Sequence, residues 1–105
     1  MKITIEFEGQ DYILEYSRKS VRSMEGMGFE LDKLSTHPMT QVPLLFHGGL
    51  MMHHRSLKRK EADEIYEQLE NRDELLQTLV EMYGETISSL TDTKNEGNAT
   101  WKVSR

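Results

Sequence analysis

The sequence predicts an α+β fold: an N-terminal β-hairpin packed on a small bundle of about four α-helices, with a flexible C-terminal tail. Three observations lead there. Apolar and polar residues alternate over residues 2–16, the period of a half-buried strand. An apolar-rich run, PMTQVPLLFHGGLMMHH, occupies Pro38–His54. Beyond it, Ala62, Ile65, Tyr66 and Leu69 stand at i, i+3, i+4 and i+7 ahead of a leucine-rich stretch, the stripe of an amphipathic helix. The expected layout is one globular domain over 1–90 and a mobile tail over 91–105. The domain would hold a hairpin at 2–16 and helices at about 18–27, 39–53, 58–69 and 72–89.

In the hairpin, Ile3, Ile5 and Phe7 alternate with Lys2, Thr4, Glu6 and Glu8, and Gly9-Gln10-Asp11 supplies the turn. Tyr12, Leu14 and Tyr16 continue the alternation. Ile13 breaks it, so the second strand is expected to be covered on part of its other face. Two strands alone are marginal in water, so the hairpin must lie on helices or gain strands from elsewhere.

Ser17 is placed to cap a helix that begins at Arg18, with Val21, Met24 and Met27 as its apolar stripe and Gly28 as its stop. Phe29 and Leu31 are expected to tuck under the loop that runs through Leu34 to Pro38. The central helix carries Val42, Leu45, Phe46, Gly49 and Met52 or His53 on one face, and Leu44 and Met51 on another. A helix apolar on more than one face is buried or awaits a partner. Pro43 fits only near a first turn, which puts the start at about Met39 or Thr40. The Gly48-Gly49 pair costs on the order of 1 kcal/mol per glycine against alanine, and close approach of another element is the expected compensation.

Ser56 offers a cap for the third helix, but Lys58, Arg59 and Lys60 oppose the helix dipole there, so the helix is expected from about Lys58 to Leu69. Asn71 and Glu74 resemble a capping box for the last helix, which carries Leu75, Leu76, Leu79, Val80, Met82, Tyr83, Ile87 and Leu90. Gly84 is expected near a helix contact. From Thr91 the chain turns polar, and Thr100-Trp101-Lys102-Val103 then brings in the only tryptophan. It folds back, on the helices or on a hairpin edge, with folding back favoured in the free protein, or docks on a partner, or is simply solvated.

The 105 residues are 36% hydrophobic and 30% charged with a net charge of -5, which fits one domain with a modest core and makes nucleic acid an unlikely main partner. There is no cysteine, so disulfides, thiol chemistry and cysteine-based metal sites are excluded. The opening MKITIEFEG does not read as a signal peptide, and the run around Pro38–His54 is too short and interrupted to span a membrane. Charge is uneven. Arg55, Lys58, Arg59 and Lys60 form a basic knot, whereas Glu61–Glu96 holds eleven acidic residues against Arg72 and Lys94. The knot reads as a solvated helix junction or as a phosphate-binding patch.

No catalytic constellation is visible. Of His37, His47, His53 and His54, His47 and His54 stand a heptad apart and could share a helix face, but no carboxylate stands at i+3 or i+4 from His47 and His53-His54 sits at a helix end, so they read as surface or cap histidines; Gly48-Gly49 is not followed by a phosphate-loop GK[ST]. No enzyme activity, cofactor or metal is expected. Met24 and Met82 read as core, whereas Met51 and Met52 read equally as core or as an adaptable binding surface. The candidate partner-binding residues are Leu45, Phe46, Gly49, Leu50, Met51, Met52, Trp101 and Val103.

The order of segments resembles a known family. A hairpin opening MKITIEFEGQDYILEYSRKSV is followed by GFEL, PLLFHGGLMMHH, EADEIYEQLENRDELLQTLVEMY and GNATWKV. Nearly the whole chain is similar to the small tail assembly chaperones of long-tailed bacteriophages and prophages of Gram-positive bacteria. The most specific parts are Leu45-Phe46 through His53-His54, Asp63-Glu64-Ile65-Tyr66 and Gly97-Asn98-Ala99-Thr100-Trp101. The resemblance implies binding of the tape measure protein, recruitment of tail tube subunits, work in the host bacterial cytoplasm, and in many members a longer frameshifted form. Self-association stays open. The rival reading is a small phage- or prophage-encoded regulatory or adaptor protein acting by protein or nucleic-acid binding. The absence of a helix-turn-helix with a basic recognition helix counts against its nucleic-acid form.

Overall fold

The computed structural model describes residues 1–91 and 99–104. It is α+β: an antiparallel hairpin of β1 (Ile3–Phe7) and β2 (Gln10–Leu14), then helices α1 (Arg18–Gly26), α2 (Pro38–Leu50), α3 (Arg59–Glu67) and α4 (Arg72–Ser88). A 3-10 turn, Leu31–Lys33, lies between α1 and α2.

The hairpin is tighter than the sequence suggested. Ile3 pairs with Leu14, Ile5 with Tyr12 and Phe7 with Gln10. Gln10 and Asp11 therefore belong to β2, and the turn is Glu8-Gly9. Both turn residues have positive φ, 51° and 77°, as a two-residue type I′ turn requires. The pairing puts Ile3, Ile5, Phe7, Tyr12 and Leu14 on the face that packs against the core.

The segment α2 is the hub of the fold. It touches β2, α1, α3 and α4, and Leu44, Leu45, Phe46, Gly48, Gly49 and Leu50 are all buried. It begins at Pro38, before the expected Met39 or Thr40, because a proline at the first helical position lacks only an N–H that would be unbonded anyway. Pro43 then falls in the second turn, inside the helix. Its missing N–H leaves the Met39 carbonyl without an intrahelical donor, and Met39 lies at the surface, where water can serve. The helix stops at Leu50, short of the expected His53. The next residues turn so that the rings of His53 and His54 reach β2.

Both glycines of α2 are explained by close approach. A Cβ on Gly48 would stand 2.4 Å from Met24 Sδ, and one on Gly49 would stand 2.8 Å from Leu14 Cδ2. The glycines let α1 and the end of β2 approach the α2 backbone. There the Glu15 N–H donates to the Gly49 carbonyl at 2.8 Å, and the buried Tyr16 hydroxyl donates to the Leu45 carbonyl at 2.6 Å. Around this contact Tyr83 of α4 meets Tyr16 and Phe29 edge-on, at ring-centroid distances of 5.9 and 5.1 Å. Phe46 meets Tyr66 of α3 at 5.1 Å.

Helix termini follow the sequence in part. Ser17 caps α1 with a reciprocal Ser20 bond. For α3 the cap position is Lys58 rather than Ser56, and the Lys58 N–H donates to Glu61 Oε1 at 3.1 Å; α3 ends at Glu67, so Leu69 lies beyond it. Asn71 occupies the cap position of α4 but makes no side-chain cap bond. It contributes a left-handed conformation, φ 54° and ψ 44°, which asparagine tolerates. Phe29 is buried as expected, whereas Leu31 is exposed. Gly84 faces open space rather than a helix contact.

The expected mobile tail falls mostly outside the described residues. Residues 99–104 are irregular, and Trp101 is 86% exposed. Neither a hairpin edge nor the helices take up the ring, contrary to the expectation of docking within the chain. The end of the β2 edge is already occupied: the outward N–H groups of Ile13 and Glu15 are bound by His54 and by the Gly49 carbonyl.

Two glycine substitutions should therefore move stability in opposite directions. Gly48→Ala improves helix propensity but drives a methyl into Met24, and a net loss of about 1–2 kcal/mol is expected. Gly84→Ala meets nothing and should gain about 0.5–1 kcal/mol. Urea unfolding of both variants checks this; a stabilised Gly48→Ala would show that the α1–α2 approach is not tight.

Candidate functional site

The packing of α2 decides which expected site residues can meet a partner. Leu45, Phe46, Gly49 and Leu50 are fully buried, so they hold the core together and offer no surface. A helix apolar on two faces is here buried on both, by the hairpin and α1 on one side and by α3 and α4 on the other. Met51 and Met52, one and two residues past the helix end, are accessible, Met52 at 43%. Trp101 and Val103 are also exposed, on a segment without regular structure.

Met51 and Met52 line a cleft of about 400 Å3 between the start of α1 and the loop that joins α2 to α3. Leu57 adds to its apolar wall, and Lys19, Arg55 and the serines Ser17 and Ser23 to its polar rim. The cleft exists because α2 ends where it does. Had the helix continued through His53, Met51 and Met52 would project from a regular helix rather than a turn.

Histidines hold this turn in place, a role that residue spacing did not reveal. His54 Nε2 accepts the Ile13 N–H at 2.9 Å, which puts its own proton on Nδ1, and its ring lies 5.2 Å from that of Tyr12. His53 Nε2 meets Glu15 Oε1 at 2.7 Å. His47 donates from Nε2 to the Leu57 carbonyl at 3.0 Å, and Arg59 Nε donates to its Nδ1 at 3.4 Å. Three of the four histidines thus pin the α2–α3 loop to β2 and α2. An apolar run ending in paired histidines, beside a strand with free outward N–H groups, was the signal available.

The basic knot lies at the surface beside the cleft. Among the described residues none of Lys19, Arg55, Lys58, Arg59 and Lys60 forms an ion pair with a carboxylate. The described residues contain no group of three or more histidines and carboxylates that could hold a metal. No helix among them is long and apolar enough to cross a membrane. No nucleophile–base pair accompanies the cleft: Ser17 and Ser20 bond one another in the α1 cap, and His47 and His54 are engaged as described.

The histidine pins set a pH dependence. Burial, and the neighbouring His53 ring, push the His54 imidazole below its ordinary 6.5, since a protonated Nε2 cannot accept the Ile13 N–H. The folded state then binds fewer protons than the unfolded chain, so this contribution is complete above about pH 6.5 and is lost as pH falls through the folded pKa. The His53 bond holds the Glu15 carboxyl below its ordinary 4.5, and acts in the same direction at lower pH. The urea midpoint should fall slightly from about pH 7.5 to about pH 5.5, the change being small because the His54 ring is partly solvated. His54→Gln should flatten that step; an unchanged pH profile in His54→Gln would remove His54 from it.

Residues 1–105, the full chain, match the family model described as a domain of unknown function, DUF5055. No curated protein and no solved structure matches the chain. A match along the whole length carries the hairpin, the hub helix and the cleft together, and on it the chain belongs to the DUF5055 family.

Proposed function

We propose that the protein is a phage tail assembly chaperone that binds the tape measure protein and helps recruit tail tube subunits in the host bacterial cytoplasm, without catalysis. The observation that supports this best is the cleft where Met51, Met52 and Leu57 stand accessible. Methionine side chains adapt to varied apolar partners, and helix-in-groove recognition needs such a concave apolar strip. Trp101 and Val103 supply a second exposed apolar contact, suited to a tube subunit or another partner. The second reading, a regulator or adaptor that binds nucleic acid, is favoured by one observation, the surface cations Lys58, Arg59 and Lys60, which form no ion pair with a carboxylate among the described residues; the net charge of -5 opposes it.

The core position of Leu50 makes it unsuitable as a probe, because an aspartate there would unfold the domain. Met52→Asp is the informative change, with Met39→Asp, the same residue type and more exposed at the other end of α2, as control. Calorimetry with a helical tape measure fragment should show Met52→Asp weakening binding roughly tenfold, about 1.4 kcal/mol, and Met39→Asp binding as the parent does. Equal loss in both would misplace the surface. A gel shift with duplex DNA in place of tape measure binding would favour the regulator.

A further inference from the structure

We propose that the cleft of Met51, Met52 and Leu57 selects an acidic amphipathic segment of its partner, an apolar stripe flanked by carboxylates. The inference rests on reading the cleft as the partner-binding surface and goes beyond it by assigning the charge of what binds.

Charge complementarity carries it. Lys19 and Arg55 line the cleft, and Arg59 reaches its wall through His47. None of the three is neutralised by a carboxylate among the described residues. The helices α3 and α4 present Glu64, Glu67, Asp73, Glu74, Glu81 and Glu85 to solvent. An acidic segment is repelled by those carboxylates and attracted by the cations of the cleft, so charge favours its landing here.

The polar groups argue for a peptide over a small polar ligand. Among the described residues no buried side-chain nitrogen or oxygen lacks a hydrogen-bond partner. Small-molecule sites depend on a few converging polar groups, and four of those at this cleft are already bonded: His47 to Leu57 and Arg59, His54 to Ile13, Ser17 and Ser20 to one another. What remains is an adaptable apolar floor, the Ser23 hydroxyl and cations at the edge, which suits side chains of an amphipathic segment.

The test is fluorescence polarisation on the full chain with labelled synthetic helical peptides that share a leucine stripe and differ in flanking residues, all glutamate or all lysine. A single-stranded DNA oligonucleotide serves as a third probe. The glutamate peptide should bind at least about tenfold more tightly than the lysine peptide, and more weakly as salt is raised. Lys19→Glu and Arg55→Glu, both at exposed positions, should each reduce that binding severalfold. Lys33→Glu, whose lysine is paired with Glu30, should leave it unchanged. Equal binding of the two peptides, indifference to both cleft substitutions, or preference for the oligonucleotide would overturn the proposal. A tape measure fragment in the same assay separates the two readings. Binding lost in Met52→Asp but kept in Lys19→Glu and Arg55→Glu would overturn the charge assignment and leave the chaperone reading standing. A tape measure fragment that does not bind, beside a glutamate peptide that does, would support the charge assignment and remove the chaperone reading.

Discussion

The contact between the end of β2 and the backbone of α2 is what the rest of the structure depends on. It requires Gly48 and Gly49 together. Gly48 admits Met24 of α1 and Gly49 admits Leu14 and Tyr16, so α1 and the end of β2 with the residues after it reach one stretch of helix backbone. Two polar bonds then form at its centre, Glu15 N–H to the Gly49 carbonyl and Tyr16 hydroxyl to the Leu45 carbonyl. Burial, with the Tyr83 hydroxyl nearby, pushes the Tyr16 phenol well above its ordinary range, so it stays a neutral donor at any ordinary pH. A two-stranded hairpin cannot hold itself in water. Here its inner face joins the core and its β2 edge is closed by the end of α2, so the hairpin depends on that close contact.

Much of this architecture was legible in the residues, for physical reasons. Alternation gave the hairpin because one face is buried and the other wet. The helices showed their period wherever only one face is buried, as in α3 with Ala62 and Ile65. The glycine pair announced a close approach, since two adjacent glycines in an apolar helix need a compensating contact. What stayed hidden depends on the third dimension. Periodicity could say that α2 is apolar on two faces, but whether those faces meet the chain's own elements or a partner is decided by packing. Leu45, Phe46 and Leu50 were therefore readable as apolar and unreadable as core. Pro43 misled for a different reason: a proline weakens a helix locally, and tertiary burial of the residues that follow it, Leu44 to Leu50, outweighs that loss. Asn71 marked the correct position for a different cause, backbone tolerance in place of side-chain capping.

The histidines show a similar limit. Their spacing suggests neither metal nor catalysis, and on that basis they pass for surface residues. In the fold they supply bonds that the backbone cannot make for itself. An edge strand leaves every second N–H pointing outward. Toward the end of β2, His54 provides the acceptor for the Ile13 N–H, and the Glu15 N–H just past the strand is close enough for the Gly49 carbonyl. A single apolar run ending in His53-His54 thus both builds the helix that covers the hairpin and closes the hairpin's edge. His47 does the corresponding work on the other side of the turn, binding the Leu57 carbonyl so that the loop leading to α3 stays against α2.

Burial and accessibility are consequently linked in this chain. A central helix whose large apolar residues Leu44, Leu45, Phe46 and Leu50 are all buried offers its most accessible apolar side chains near its ends. At its N-terminus Met39 stands alone, with 88% of its surface exposed and no concave surroundings. At its C-terminus the histidine pins bend the chain sharply, and the bend leaves Met51 and Met52 facing the start of α1 across a gap. The same constraint that commits Leu45 to Leu50 to the core therefore produces the one accessible methionine pair in a cleft. It also brings the basic knot, only a few residues further on, to that cleft's edge. Had α2 run straight to His54, the methionines would lie on a helix surface, the Ile13 N–H would lack its acceptor, and Arg55 would be carried away from Lys19. The turn after Leu50 is thus where the chain's folding requirement and its capacity for recognition are met by the same residues.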